Sequence, residues 1–220
     1  MWHKDATEFK EANGHEINGI WYPRVTKILD VKAKPALENF FREMESFAAA
    51  DEVKNKSAVE GTLVHEAVQG LLTGQAVSVS DAIKPAVDGF SEFNVKRNII
   101  FHKEYVERKI ISQRYRYAGT VDALATVDGK FGVLDIKTSA GFYPEYNLQT
   151  AAYVMALQEF SVKRELALPR DIETRWILRI NQHRICRACG ATMREKGGRI
   201  KVKNSRSKSP CPDIAHEWGV

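Results

Sequence analysis

Two aspartates and a lysine carry the strongest chemical signal in the chain. In YAGTVDALATVDGKFGVLDIKTS, Asp122 stands between Val121 and Ala123, and Asp135 between Leu134 and Ile136. Asp128-Gly129 is a two-residue hairpin signal, which makes the flanking apolar runs antiparallel neighbours. Each aspartate lies six residues from that turn, so the register sets 122 opposite 135 on one face. Like charges directly opposed on paired strands are destabilising unless something positive stands between them. A divalent cation is the natural compensator, because Mg²⁺ binds through one or two carboxylates plus phosphate and water oxygens. Lys137, two positions past Asp135, falls on the same face of its strand. An ammonium there can orient a metal-bound water and neutralise a phosphate. Together these groups suit hydrolysis of a phosphodiester. The same three residues would also make an ordinary Asp–Lys ion pair across a hairpin.

A small sheet and flanking helices must position them. Alternation from Ile99 to Ser112 predicts a strand with Glu107 near its middle, and RYRYAGTVDALATVD predicts a second. KFGVLDIKTS predicts a third, central strand, and IETRWILRI a last one near Ile180. Between these, a helix from about Pro144 to Phe160 carries Leu148, Ala151, Ala152, Met155 and Leu157. On it Gln149 and Tyr153 are one turn apart and share a face. Upstream, helical spacing predicts a core-facing helix over Pro35–Ala50 through Leu37, Phe40, Phe41, Met44 and Phe47. A second helix, Ser57 to Leu72, has a stripe of Val59, Leu63, Ala67 and Leu71, with His65 off its centre. Read alone, that histidine is a surface or internally satisfied residue. A third covers Ser80 to Asn98, and residues 17–30 read as a strand or loop entering a helix capped by Thr26. The fold class is α/β, with a small mixed sheet flanked by helices.

A chain of 220 residues suits one domain with a small appendage. No apolar run approaches the roughly 20 residues that cross a bilayer, and the polar N-terminus shows no targeting segment. Three cysteines make no disulfide framework, which points to a reducing compartment. The net charge of +5 is unevenly spread. Between Arg184 and Lys208 nine Lys/Arg face one acid, a net of +8 that leaves −3 for the remainder. Arg187, Arg194, Arg199, Lys201 and Lys203 within it are candidate contacts to a polyanion, most simply nucleic acid; a solvated basic face is the other reading. Cys186 and Cys189 form a CxxC, and Cys211 with His216 completes a Cys₃His set suited to tetrahedral Zn²⁺.

The motifs resemble the PD-(D/E)XK nucleases, in the branch typified by RecB-like exonucleases. That branch has G-x-x-D, D-x-K-T/S, Q-x-x-x-Y and an upstream G-x-x-x-H. The chain matches with Gly119/Asp122, Asp135/Lys137/Thr138, Gln149/Tyr153 and Gly61/His65. YPRVTKIL resembles the P-S-V-T-x-I-L segment of many members, with Arg24 where serine is usual. The resemblance covers about residues 20–180. It implies a restriction-endonuclease-like core, and Mg²⁺ or Mn²⁺ held by Asp122, Asp135, the Ile136 carbonyl and His65. It also implies that Lys137 activates water and that Gln149 and Tyr153 contact DNA. Glu107 stands where the family's first-strand acid falls, with Glu104 the competing choice. Some members carry a four-cysteine iron–sulfur cluster; with three cysteines and none before the core, zinc is the better fit here.

The expectation is therefore a nuclease domain over 1–182, helical to 98 and catalytic from 99, followed by a zinc-knuckle-like appendage over 183–220. The implied activity is that of a metal-dependent deoxyribonuclease, exonuclease-like, in the cytoplasm of a bacterial or phage-infected cell. DNA, single- or double-stranded, is the expected partner, with protein partners in DNA processing and no membrane. The alternative is a non-catalytic DNA-binding module in a repair, recombination or packaging complex.

Overall fold

In the computed structural model, which describes residues 3–180, 183–204, 211 and 216–219, the chain opens with helix α1 (Ala6–Asn13). The Asp5 carboxylate accepts from the Glu8 N–H at 2.8 Å and caps that helix. A hairpin of β1 (Gly14–Ile17) and β2 (Ile20–Pro23) leads into the short α2 (Val25–Leu29). Arg24, not Thr26, takes the N-cap position of α2, and no side chain caps it. Helix α3 (Pro35–Arg42) then precedes α4 (Phe47–Thr73), whose first turn is capped by Ser46 Oγ on the Ala49 N–H at 3.1 Å. Helix α5 (Lys84–Arg97) follows, with Pro85 in its first turn, where its missing N–H costs nothing.

The strands come next: β3 (Ile100–Phe101), β4 (Arg108–Ser112), β5 (Tyr117–Val121), β6 (Ala123–Val127) and β7 (Lys130–Lys137). Helices α6 (Pro144–Leu157) and α7 (Phe160–Leu166) cross over to β8 (Thr174–Arg179), which pairs parallel with β7. The central sheet has the order β3-β6-β7-β8, and β4 pairs with β5 beside it. Alternation along β7 divides the core between two faces. Phe131 and Val133 pack with Tyr153, Ala156 and Leu157 of α6, while Leu134 and Ile136 pack with Val64, Ala67 and Val68 of α4. The result is a mixed α/β architecture with helices on both faces of the sheet.

The last strands, β9 (His183–Cys186), β10 (Thr192–Lys196), β11 (Arg199–Lys203) and β12 (Trp218–Gly219), form a separate sheet ordered β11-β10-β9-β12. Gly197 and Gly198 make its tightest turn, both at positive φ, as a two-residue hairpin requires. The Gly197 N–H donates to both Glu60 carboxylate oxygens on α4, at 3.0 and 3.1 Å. This small sheet is thus seated on α4 of the α/β unit rather than trailing from it. Arg206 and Lys208 of the basic run lie outside the described residues.

Several elements differ from their sequence patterns. The helix expected over Pro35–Ala50 breaks at 43–46, and its apolar face is not core. Phe47 is 76% exposed, Leu37 is exposed, and Phe41 stacks on Phe47 with centroids 4.8 Å apart. The helix expected over 57–72 begins ten residues earlier, at Phe47, and is rotated. Val59, Leu63 and Leu71 face solvent while Gly61, Val64, Ala67, Val68 and Leu72 are buried. His65, one turn from Gly61 and from Val68, therefore turns toward the sheet. The helix expected to reach Phe160 stops at Leu157, with α7 as a separate element. Both long strands expected over 99–128 are broken, at the positions taken up next.

Candidate metal centre

Two acids stand where the first strand pair is interrupted. Phe101 pairs with Ala125, and the His102 N–H donates to the Leu124 carbonyl at 3.1 Å. Beyond the break, the Glu107 N–H donates to the Asp122 carbonyl at 3.0 Å, and Arg108 pairs with Val121. Between those bonds residues 103–106 face the single residue Ala123. Three of the four wind into a 3₁₀ turn, Lys103–Tyr105. The ladder resumes at Glu107 only because its backbone takes a left-handed conformation, φ 51°. Such an interruption re-aims side chains. Here it turns Glu107 and Asp122 toward His65, so that one ligand atom from each lies within 4.8 Å of the others. That spacing could be spanned by a single cation.

Asp135 is reached from the other side. The pairing of Ala123 with Leu134 continues the register that sets 122 beside 135. Asp122 Oδ2 accepts from the Ile136 N–H at 2.6 Å, which ties the two strands together at the acids. Asp135 is wholly buried, and its Oδ2 lies 2.6 Å from Lys137 Nζ. Neither of its oxygens has a hydrogen bond beyond that ion contact among the described residues. Asp135 is not one of the three clustered ligands; its carboxylate is paired with Lys137. Lys137 Nζ also sits 5.2 Å from the Tyr146 ring centre.

The charges in this site are under-compensated. Burial pushes Glu107 up to about 7, with the Asp122 charge adding to it. Burial also pushes Asp135 up to about 6, against the opposing pull of Lys137 and with the Asp122 charge adding to it. Asp122 shifts upward for the same leading reason, with Lys137 and the Ile136 N–H resisting. His65 is driven down, first by burial and then by Lys137. Three carboxylates that resist ionising, one of them with orphaned oxygens, and an imidazole kept neutral are a donor set that fits a divalent cation.

A cleft of about 420 Å³ opens beside these groups, lined by Gly61, Thr62, His65, Glu66, Glu107 and Thr138 among others. Its walls meet closely. A Cβ on Gly61 would lie 2.7 Å from Thr138 Oγ1, and one on Gly119 would lie 2.4 Å from Tyr153 Cε1. The glycines of the two motifs therefore mark close approaches. Gln149 and Tyr153 are both buried, and Gln149 Nε2 donates to the Tyr153 hydroxyl at 2.8 Å. They back the acids, since the charges of Asp135, Asp122 and Glu107 all reach the Tyr153 hydroxyl. Glu104 is exposed in the 3₁₀ turn and does not join the cluster.

The second cluster lies in the C-terminal sheet. Ligand atoms of Cys186, Cys189, Cys211 and His216 all fall within 4.8 Å of one another. Cys186 Sγ is 4.0 Å from Cys211 Sγ, and Cys189 Sγ is 3.5 Å from His216 Nδ1. Burial pushes the Cys186 thiol up, but hydrogen bonds from the Cys189 backbone, His216 and the Glu217 backbone outweigh it and bring it to about 6. The set could hold a metal ion such as zinc. Of the basic residues, Arg187, Lys201 and Lys203 are exposed, and the Arg199 guanidinium lies 5.6 Å from the Phe40 ring centre. Arg194 Nη2 and Lys196 Nζ both reach the Thr138 carbonyl, at 3.3 and 2.5 Å. Lys196 was not singled out by its sequence, where it is one cation of nine; only the fold brings it to Thr138, which lines the cleft. Among the described residues no helix is long and apolar enough to cross a membrane. No family model matches the chain, and no curated protein matches it.

Proposed function

We propose that the protein is a Mg²⁺- or Mn²⁺-dependent nuclease acting on DNA, on a restriction-endonuclease-like core of the RecB-like kind. The observation that carries this reading is the convergence of His65, Glu107 and Asp122 beside the buried Asp135–Lys137 pair, at the edge of an open cleft. Four separate sequence motifs meet there. A zinc ion at Cys186, Cys189, Cys211 and His216 completes the reading as a structural staple, and DNA is the polyanion that the basic hairpin suits.

His65, Glu107 and Asp122 would hold the active-site ion, with Asp135 and the Ile136 carbonyl as nearby reserve oxygens. When bound, that ion supplies Lewis-acid polarisation of a phosphate and a nucleophilic hydroxide near neutral pH. Lys137, held by Asp135 on one side and facing the Tyr146 ring on the other, presents its ammonium to the attacking water and to the phosphate oxygens. Asp122 is fixed by the Ile136 N–H, so its free oxygen has one direction to point. His65, kept neutral by burial, offers a lone pair rather than a competing charge. Water attack at phosphorus forms one P–O bond and releases one ester oxygen, which takes up a proton.

End-labelled linear DNA and a closed circle, incubated with and without Mg²⁺, test this directly. The wild-type protein is expected to degrade the linear substrate, and EDTA to stop it. Lys137→Ala should cut at least ~10²-fold more slowly while remaining folded. Cleavage that survives EDTA, or a Lys137→Ala variant of full activity, would sink the proposal.

A further inference from the structure

The C-terminal hairpin carries a feature opposite in sign to the acidic cluster. In the β10–β11 register Lys196 stands opposite Arg199, and Arg194 opposite Lys201. Residues paired this way share a face, so one side of the hairpin carries Arg194, Lys196, Arg199, Lys201 and Lys203. Like charges directly opposed across strands repel unless an anion stands between them. The inner end of this face points at the cleft, because Lys196 and Arg194 both reach the Thr138 carbonyl, and Thr138 lines the cleft wall. One neutral carbonyl cannot offset the Lys196 ammonium. Lys196 has no carboxylate within 4 Å and no second hydrogen-bond acceptor among the described residues. The nearby acid, Glu60, is engaged with the Gly197 N–H through both oxygens. Two of the three ammonium protons are therefore left for a ligand.

We infer that the hairpin is a wall of the nuclease cleft and that Lys196 holds a substrate phosphate there, with Arg199, Lys201 and Lys203 continuing the track for the strand outside. This rests on the nuclease reading for its substrate class, a nucleic-acid strand. It gives the basic appendage one defined role, that of holding the phosphate next to the metal centre, rather than diffuse attraction. Lys196 is a binding and positioning residue; Lys137 remains the group beside the reacting atoms.

The test is binding of a fluorescent 5′-phosphorylated oligodeoxynucleotide to the full chain in Ca²⁺, across a salt series. Lys196→Met, Lys196→Arg and the wild type are compared, with amide hydrogen exchange over residues 57–61 reporting whether the hairpin stays docked. Lys196→Met is expected to weaken binding about tenfold and to reduce the slope of log affinity against log salt by about one, with Lys196→Arg restoring both. Unchanged affinity and slope in Lys196→Met would overturn the inference, as would a wild type that binds no oligonucleotide. So would a loss that accompanies undocking and is not rescued by arginine, since that is the signature of a structural pin. Cleavage in Mg²⁺ separates the two claims. A cleaving wild type with an indifferent Lys196 removes this inference alone; Lys196-dependent binding without cleavage removes the nuclease activity alone.

Discussion

Asp135 is a carboxylate wholly buried from solvent and faced by one ammonium. A buried ion pair of this kind contributes little net stability, because desolvation consumes most of the attraction. Its neighbours Asp122 and Glu107 add charge of the same sign. With Asp135 at about 6 and Glu107 at about 7, both folded-state values lie above those of ordinary carboxylates. The folded protein therefore binds protons that the unfolded chain has released. Their stabilising contribution is complete below about pH 4 and is lost as pH rises through about 6 to 7. Metal-free protein is expected to show a Tm that falls over that range, and Glu107→Gln to show a shallower fall. Adding Mn²⁺ at pH 7.5 should raise the wild-type Tm and raise that of the variant much less. A flat Tm profile for the metal-free wild type would refute the picture of uncompensated acids.

At the scale of elements, what the sequence shows and what it hides have one physical cause. The Asp-Gly turn and the period-2 pattern placed 122 beside 135, and the paired strands agree through Ala123 and Leu134. A small mixed sheet flanked by helices, with a last strand near Ile180, was equally legible from alternation and spacing; that this strand runs parallel to β7 was not. Nor was helix phase. In α4 and α6 the expected stripes buried only Ala67 and Leu157, while Val59, Leu63, Leu71, Leu148 and Met155 face solvent. The buried faces run through Gly61, Val64 and Val68, and through Gln149, Thr150 and Tyr153. Apolar periodicity assumes that burial is decided by side-chain transfer alone. In these helices close backbone approach at glycine and a satisfied Gln–Tyr bond decide it instead. The break between Glu107 and Asp122 was hidden for a related reason, since IIFHKEYVERKIIS alternates straight through it. Only the motif spacing carried any sign of His65. The close approach at Gly119 yields a direct prediction. Gly119→Ala would drive a methyl into the Tyr153 ring, costing about 1–3 kcal/mol in denaturant unfolding. An unchanged denaturation midpoint would show that the ring has room to move.

Across the whole molecule the two candidate metal clusters are mechanically joined. Cys186 ends β9, Cys189 precedes β10, and the tip of the β10–β11 hairpin rests on Glu60 through Gly197. A metal held by Cys186, Cys189, Cys211 and His216 would therefore fix the angle at which the basic face meets the cleft. Cys189→Ser is expected to lose zinc, read by metal analysis, and to expose the amides of residues 57–61 to hydrogen exchange. Under the proposed nuclease reading its DNA cleavage should fall roughly tenfold at moderate salt, with the deficit largest at high salt, where fewer phosphate contacts are tolerated. Retention of zinc-free docking would show that the hairpin needs no staple.

The contact between Glu60 and Gly197 joins positions 137 residues apart in the chain. Histidine, three acids and lysine all lie within residues 65–137, but the lysine that reaches the Thr138 carbonyl at the cleft wall is residue 196. During synthesis the ribosome thus delivers every residue of the candidate metal cluster well before the hairpin that rests on Glu60. The order of translation leaves the Glu60 carboxylate and the Thr138 carbonyl without their C-terminal partners until the last sheet has emerged.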